Sequence, residues 1–411
     1  MNAFHILILI IAILVGDFLL ENFLEWLNSQ KQPAHLPNEF SDIYTEEEYQ
    51  KSKLYKKTNS TFSLISNSIS FVLTLIFLFT GAFGYLSDAL GVYFQSSIWH
   101  ALAFFGVVTI ASSLLGLPFS LYQTFVIEEK FGFNKTTKKL FFTDKIKGLL
   151  LGTVVGGLIG YVLLYLVLEI GQNFWIYFWI IITIFSIGMQ FFYASLIMPL
   201  FNKLTPLEDG QLRESIEEYA GSVYFPLQNI FIIDGSKRST KANAFFMGFG
   251  KQKKVVFYDT ILEKHTTEEL VAIFAHEVGH YKKNHIPQTM VMSIIQTGLT
   301  LFILAQIIFN KEISLALGAN EWQIHLNMIA FGFLYSPIST VTSVLFNIFS
   351  RKNEYEADDY AKQTYGSKPL AKALKKLSAD SLSNLTPHPW YVFFNYSHPP
   401  LGERLKAMEE E

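Results

Sequence analysis

Seven long apolar stretches constrain this chain more than any other feature of its sequence. They lie near residues 4–26, 62–86, 98–126, 147–169, 173–200, 287–309 and 324–349. Each is close to or above the roughly 20 residues that a helix needs to cross a hydrocarbon core of about 30 Å. Hydrophobic residues make up 50% of the chain and charged residues only 16%, so the rest of the sequence is not unusually rich in charge. We therefore predict an all-α polytopic membrane protein with seven transmembrane helices.

Lysines in the loops predict how these helices are oriented. The loops at 27–61 and 127–146 carry five lysines each, whereas the loops at 87–97 and 170–172 carry no Lys or Arg. Because cytoplasmic loops are enriched in basic residues, we expect the N-terminus outside, in the lumen or periplasm, and the C-terminus in the cytoplasm. The membrane would be the bacterial inner membrane or the endoplasmic reticulum, depending on the source.

A polar segment interrupts the apolar stretches after residue 200. In it, Glu208–Tyr224 predicts an amphipathic helix, and runs at 229–233, 242–249 and 254–258 predict a small β-sheet. We expect a mainly helical cytoplasmic domain. The predicted organisation is transmembrane helices 1–5 with basic cytoplasmic loops at 1–200, a cytoplasmic catalytic segment at 201–286, transmembrane helices 6 and 7 at 287–349, and a cytoplasmic C-terminal segment at 350–411.

Segment 276–280, with the sequence His-Glu-Val-Gly-His, has the HExxH spacing of a zinc protease. It follows a capping box at 266–269, and residues four apart on a helix share a face, so His276 and His280 can bind one Zn²⁺. Glu277 can accept a proton from the attacking water and deliver it to the leaving amine. The chain has no cysteine, so imidazole and carboxylate must supply the ligands. A chance match on a surface helix is the competing interpretation.

A catalytic zinc site needs a third protein ligand and one open position. Glu354 and Asp358 follow the last apolar stretch and share a helical face. We interpret Glu354 as the third ligand, and Asp358 as the acceptor of the free N–H of a ligating histidine. Glu356 and His285 compete for the third position. Both halves of the site adjoin predicted membrane helices, so we expect membrane-associated or strongly apolar substrates.

A histidine near the C-terminus is a further candidate. His398 is followed by Pro399 and Pro400, which restrict the backbone, and then by Arg404. An imidazole held in this way can donate a hydrogen bond to the oxyanion that develops in peptide hydrolysis. A histidine that only occupies a turn is the competing interpretation.

Taken together, these motifs resemble the type 1 CaaX prenyl proteases, which are integral-membrane zinc metallopeptidases of the gluzincin kind. The similarity includes residues 121–135, the run 241–246 (Lys-Ala-Asn-Ala-Phe-Phe), the acidic segment 354–358, and residues 397–400 with Arg404. The motifs match in order and spacing, and the resemblance extends over almost the whole chain.

The resemblance implies both a fold and a reaction. Seven helices would form an α-barrel around a hydrated chamber, and the enzyme would remove the terminal tripeptide from prenylated CaaX proteins. The implied roles are metal ligation by His276, His280 and Glu354, base catalysis by Glu277, support of a ligating histidine by Asp358, substrate binding on a strand with Asn243 and Ala244, and oxyanion contacts from His398 with Arg404.

Two other functions agree with parts of the pattern: a membrane quality-control peptidase of the heat-shock type, and a polytopic transporter with a structural zinc site. Seven helices and the match at 121–135 weigh against the first. The expected cofactor is one Zn²⁺ per chain, and the expected partners are a peptide or prenylated protein and membrane lipid. A net charge of −3 argues against nucleic acid, and we expect a monomer.

Overall fold

The fold is mainly helical and includes one small sheet, as predicted. The computed structural model describes residues 1–247 and 253–409. Its helices are α1 (Ala3–Gln30), α2 (Glu46–Phe79), α3 (Ala82–Gly91), α4 (Ser97–Tyr122), α5 (Lys138–Ile170), α6 (Phe174–Phe192), α7 (Met198–Phe201), α8 (Gln211–Ser222), α9 (Asp259–Leu262), α10 (Thr267–Lys282), α11 (His285–Ile307), α12 (Lys311–Ala316), α13 (Ile324–Thr364), α14 (Ser367–Asp380), α15 (Pro389–Asn395) and α16 (Leu401–Glu409). Its strands are β1 (Leu204–Pro206), β2 (Leu227–Ile233), β3 (Ala244–Met247) and β4 (Lys253–Tyr258).

The membrane-spanning helices agree with the predicted seven crossings. Six helical stretches in the described part of the chain are long and apolar enough to cross a membrane. One of them, Lys138–Phe201, is interrupted by the 3-10 turn Gly171–Asn173, and the two helices on either side, α5 and α6, pack against each other. This stretch therefore supplies two crossings.

The end of the second crossing differs from the prediction at 62–86. Helix α2 ends at Phe79, and residues 82–91 form the separate helix α3. Gly81 lies between them with φ of 65°, a left-handed conformation that glycine adopts without the steric penalty of a Cβ atom. The apolar run therefore continues through a change of chain direction that hydropathy alone does not detect.

Acidic residues on α1 have partners on neighbouring helices. Asp17 accepts a hydrogen bond from the Ser336 hydroxyl of α13. Nearer the C-terminal end of α1, Glu25 lies 3.0 Å from Lys56 of α2. Because unpaired charges are costly at membrane depth, these contacts explain how an apolar helix can carry carboxylates.

The four-stranded sheet lies next to the helix that carries the His-Glu-Val-Gly-His segment. Its strand order is β1-β2-β4-β3, with β2 and β4 parallel and the other pairs antiparallel. The predicted strands at 229–233 and 254–258 are confirmed, and the run at 242–249 forms a strand only from residue 244 to 247 among its described residues. Residues 248–249 of that run and the turn at Gly250 lie outside the described part of the chain. Strand β3 forms one edge of the described sheet.

Helix α10 forms the centre of the core of the polar domain, which residues 201–286 and 350–411 form. Its predicted capping box is present, since Thr266 and Glu269 exchange side-chain and backbone hydrogen bonds. Phe274 and Val278 are fully buried among residues of α8, α14 and the sheet. The apolar face of α10 is thus anchored in this core, which fixes the direction of its opposite, histidine-bearing face.

Candidate metal centre

His276 and His280 lie one turn apart on α10 and direct their Nε2 atoms to the same point. These two atoms are 3.2 Å apart. The carboxylate of Glu354, on the part of α13 that extends beyond the predicted membrane segment, lies 3.5 Å from Nε2 of His276 and 3.3 Å from Nε2 of His280. One ligand atom from each of the three residues falls within 4.8 Å of the others, so the group can hold a metal ion.

Gly279 explains why the two helices come so close. A Cβ atom at this position would lie 2.9 Å from the Cα atom and 2.9 Å from the carbonyl oxygen of Ala357 on α13. These distances are shorter than a methyl group tolerates, so a glycine is needed where the two backbones cross. The fully buried Ala357 lies between Glu354 and Asp358, and the close contact brings both carboxylates to the histidines.

The electrostatic environment of the centre is strongly anionic and buried. Burial by itself opposes protonation of His276, but contacts with Asp358 and Glu354 outweigh it and raise the pKa of His276 to about 9. Such surroundings favour a bound cation. Burial also raises the pKa of Glu277 above its ordinary value of 4.5, although the neighbouring His276 and His280 oppose that shift.

Asp358 holds His276 from behind. Its Oδ1 atom lies 2.8 Å from Nδ1 of His276, the ring nitrogen that faces away from Glu354. Arg404 of α16 binds both oxygens of Asp358, with Nε at 2.8 Å and Nη2 at 2.6 Å. A two-point contact of this kind fixes the carboxylate plane, and with it the orientation of the His276 ring.

The two alternatives to Glu354 lie behind His280, away from its Nε2 atom. Nδ1 of His285 is 2.9 Å from Nδ1 of His280, and Nε2 of His285 is 3.1 Å from Glu356. Of the three candidates for the third ligand, Glu354 is therefore the one that lies close to the Nε2 atoms of both histidines.

The remaining predicted site residues border one cavity of about 730 Å³ on the side of the polar domain. Asn243, Ala244, His398 and Arg404 line it together with the three metal-binding candidates and Glu277. His398 is mostly exposed, and its Nδ1 atom lies 3.0 Å from Glu354. The structure thus brings all predicted site residues to one place.

A second cavity, of about 470 Å³, extends from the same centre between the membrane helices α6 and α11. Its walls combine apolar side chains with hydroxyl and amide groups, such as those of Ser186, Gln190 and Thr289. Glu277 and His280 line both cavities. The candidate centre therefore lies where the cavity between the membrane helices meets the cavity of the polar domain.

Sequence reasoning missed a polar network at the start of β3. Nζ of Lys241 lies 3.0 Å from Glu128 and 3.0 Å from the hydroxyl of Tyr55, which itself donates to Glu128 at 2.6 Å. Two of these residues occur in segments quoted for the family resemblance, 121–135 and 241–246, but nothing in their local spacing indicates that they pair. The network connects the substrate-strand candidate to α2 and to the π-helical segment Gln123–Glu128 that continues α4.

Comparison with known proteins assigns the chain to a family. The family described as "CAAX prenyl protease N-terminal, five membrane helices" matches residues 25–203, and "Peptidase family M48" matches residues 206–411. This chain belongs to peptidase family M48. Among its relatives, CAAX prenyl protease 1 of Saccharomyces cerevisiae is 34% identical, over 96% of this chain and 93% of the yeast protein. A CAAX prenyl protease 1 homologue of Arabidopsis thaliana is 35% identical, over 98% of this chain and 97% of its own length.

The fold comparison agrees with this membership. The crystal structure of S. mikatae Ste24p superposes with a TM-score of 0.94 at 34% sequence identity, covering 98% of this chain and 99% of that one. Membership in M48 makes the chain a multi-pass membrane metalloprotease and confirms the resemblance inferred from its motifs. The interpretation as a transporter with a structural metal site is therefore wrong.

Proposed function

We propose that this metalloprotease binds one Zn²⁺ per chain at His276, His280 and Glu354, and cleaves near the C-terminus of prenylated proteins. The observation that carries the proposal is the position of Glu277 and His280 at the junction of the two cavities. A substrate whose lipid remains in the membrane can therefore present its peptide to the metal centre. The names of the relatives, CAAX prenyl protease 1, support the same substrate class. We propose that the cleavage removes the terminal tripeptide, as the resemblance of the motifs implies.

The donor set fits zinc. Two imidazole nitrogens and one carboxylate oxygen are typical of catalytic zinc sites, which keep a fourth position for water or substrate. When bound, zinc would polarise the scissile carbonyl as a Lewis acid. The Glu277 carboxylate would take a proton from the attacking water and deliver it to the leaving nitrogen. The raised pKa of Glu277 supports this role, because a base works best when its pKa approaches the operating pH.

The substrate would bind as an extra strand on β3. The backbone N–H of Tyr258 donates to the carbonyl of Asn243 at 3.0 Å, which makes these two residues a hydrogen-bonded pair of the antiparallel ladder. In such a ladder the next residue, Ala244, directs its N–H and C=O to the free edge. There the N–H donates to Oδ1 of Asn243 at 2.9 Å, and a substrate strand would take the place of that side chain. An extended peptide can pair with that edge through its backbone, and its side chains can then enter the cavities.

His398 and Arg404 would act on opposite sides of Glu354. His398 lines the cavity within 3.0 Å of Glu354, so its imidazole is placed to donate to an oxyanion developing beside the metal. Arg404 lies 3.5 Å from the other oxygen of Glu354 while binding Asp358. We propose that Arg404 holds these two carboxylates in place, and that its positive charge acts on the nearby reaction site.

The proposed topology follows from the lysine-rich loops. It places the N-terminus outside, in the lumen or periplasm, and both 201–286 and 350–411 in the cytoplasm beside the membrane parts 1–200 and 287–349. A monomer contains every side chain used in the proposal, and no nucleic acid is required. The host membrane would be the bacterial inner membrane or the endoplasmic reticulum.

The test is a cleavage assay on the purified protein in detergent, with mass spectrometry of the products. A farnesylated CaaX peptide should lose its last three residues, and the same peptide without the lipid should react more slowly. Glu277→Gln should retain zinc but lower turnover by about 10²–10⁴, the usual contribution of general base catalysis. Glu268→Gln is the matched control, since Glu268 lies on the same helix and is exposed.

Two outcomes would contradict the proposal. Wild-type turnover in Glu277→Gln would remove Glu277 as the base. Equal cleavage of apolar peptides with neither a lipid nor a CaaX terminus would favour the alternative function, a quality-control peptidase of the heat-shock type.

A further inference from the structure

His280 has its own support, separate from the Asp358–Arg404 pair that holds His276. Its Nδ1 atom, which faces away from the metal centre, lies 2.9 Å from Nδ1 of His285. The other nitrogen of His285, Nε2, lies 3.1 Å from an oxygen of Glu356. The His285 side chain is 4% exposed, so this contact is formed in the interior.

From this geometry we infer that His285 and Glu356 form a hydrogen-bonded relay that positions His280 as a metal ligand. The inference rests on the proposed metal site. It assigns His285 and Glu356 the role of positioning residues, which act on the metal through His280; His285 also lines the cavity between α6 and α11.

The hydrogen atoms of the relay can be placed in one consistent way. A metal ion at Nε2 of His280 takes the lone pair of that atom, which leaves the proton of the neutral ring on Nδ1. Nδ1 can then donate only if Nδ1 of His285 accepts, and this in turn places the proton of His285 on Nε2, facing Glu356. Each polar atom along the relay thus has a partner, and the tautomers of both rings follow from the ligation.

The chain segment between the two helices brings His285 to this place. Only Lys283 and Asn284 separate α10 from α11, and Asn284 adopts a left-handed conformation with φ of 58°. Asparagine is among the few residues that tolerate this conformation, which turns the chain back sharply. His285, the first residue of α11, therefore comes to lie against the His280 ring (ring centroids 5.0 Å apart).

Helix α13 thus supplies three acidic residues to the metal centre. Glu354 faces the two Nε2 atoms, Asp358 holds His276 directly, and Glu356 holds His280 through His285. Glu356 is half-exposed and also lies 3.6 Å from Nζ of Lys352. The two ligating rings are thus supported differently, one by a buried carboxylate with a bound arginine and the other by a neutral imidazole.

The test measures zinc affinity by competition with a chelator, alongside turnover. His285→Leu keeps a similar volume but removes both hydrogen-bonding atoms, and we expect zinc to bind about 10–100-fold more weakly, the usual effect of losing a partner of a ligating histidine. His285→Asn keeps an acceptor near the position of Nδ1 and should recover part of that loss. Glu356→Gln, at a half-exposed position where the fold tolerates change, should weaken zinc binding in the same direction. Asp359→Asn is its control, because Asp359 is exposed on the same helix and accepts a hydrogen bond from Gln363.

A double mutant distinguishes the relay from simple packing. If Glu356 acts through His285, then Glu356→Gln should change zinc affinity little once His285→Leu is present, whereas independent effects would add. Additive effects, or normal zinc affinity in both Glu356→Gln and His285→Leu, would overturn the inference.

A failure of the metal-site proposal would look different from a failure of the relay. Normal zinc affinity in His280→Ala would show that His280 is not a ligand. Loss of zinc in His280→Ala together with normal affinity in the His285 and Glu356 variants would leave the metal site in place and reject only the relay.

Discussion

Glu354 is the residue on which the proposed metal site most depends, because it supplies the carboxylate that reaches both histidines. Glu354→Ala should lower zinc affinity by more than about 100-fold, since loss of a ligand should exceed the 10–100-fold cost of losing a ligand's partner. Elemental analysis of the purified variant checks this, with Asp359→Ala on the same helix as the control. Full zinc occupancy in Glu354→Ala would return the third position to Glu356 or His285.

His398 allows a second test at the scale of single residues. Its side chain is 65% exposed and approaches Glu354 from the cavity, so it has little to contribute to the core. His398→Ala should keep zinc and slow turnover by about 10²–10³, the scale for losing one oxyanion donor. The exposed His35, which lies near Glu46 and is not a predicted site residue, offers a control as His35→Ala. Unchanged turnover in His398→Ala would leave His398 with a structural role in its turn.

Among the elements, the crossing of α10 and α13 decides the geometry of the site. Gly279→Ala would push the backbones apart at Ala357, because the added carbon has no room within 2.9 Å of two backbone atoms. We expect weaker zinc binding and a lower thermal midpoint, although alanine favours helix formation over glycine by about 1 kcal/mol. Gly221→Ala on α8 is the matched control, since a Cβ atom there meets nothing within 4 Å, and it should keep full zinc affinity. Equal effects of the two substitutions would show that close packing at Gly279 is unimportant.

The start of α10 predicts a pH dependence of stability. Burial lowers the pKa of His265 below 6.5, with Lys376 acting in the same direction and Glu269 and Asp380 opposing it. The folded protein thus binds fewer protons here than the unfolded chain. The resulting stability is present above pH 6.5 and is lost as the pH falls below that value toward the folded-state pKa.

Thermal unfolding of wild type and His265→Gln, followed from neutral to mildly acidic pH, measures this contribution. The midpoint of the wild type should fall more steeply with acidification than that of the variant. Glu269, whose pKa is lowered, stabilises the folded protein above about pH 4.5 and loses this contribution only below that value, so the two effects are separable. Parallel curves for the two proteins would contradict the assignment to His265.

For the whole molecule, a bound metal should link the two parts of the chain that form the polar domain. His276 and His280 precede the last two membrane helices, α11 and α13, and Glu354 lies on α13 beyond its predicted membrane segment. Zinc that binds only the folded protein stabilises it by about 4 kcal/mol when free zinc exceeds its Kd a thousandfold. Chelation should therefore lower the thermal midpoint and inactivate the enzyme.

Added Zn²⁺ should restore both properties, whereas Mg²⁺ should not, because Mg²⁺ prefers an octahedral set of oxygen ligands. In Glu354→Ala the chelator should shift the midpoint much less than in the wild type. An equal shift in both proteins would mean that the stabilising metal binds elsewhere.

Local patterns were sufficient to predict much of the molecule. Apolar runs of membrane length indicated the crossings, and the capping box at Thr266 and Glu269 indicated the start of α10. The four-residue spacing of His276 and His280 indicated that they share a face. These features depend on neighbours within a few residues, whose geometry the helix itself imposes. The prediction was less accurate at the end of the second crossing, because the left-handed turn at Gly81 interrupts a run that remains apolar.

The sequence by itself determined the membrane helices and the histidine pair. Both follow from local requirements, namely backbone hydrogen bonding in lipid and the periodicity of a helix. Only the tertiary structure decided which acidic residue faces the histidines. Glu354, Glu356 and Asp358 lie on one helix within five residues, and only the crossing at Gly279 and Ala357 sorts them into three positions around the two rings. That crossing joins residues almost 80 positions apart, so its geometry is decided by the packing of whole helices and not by any local pattern.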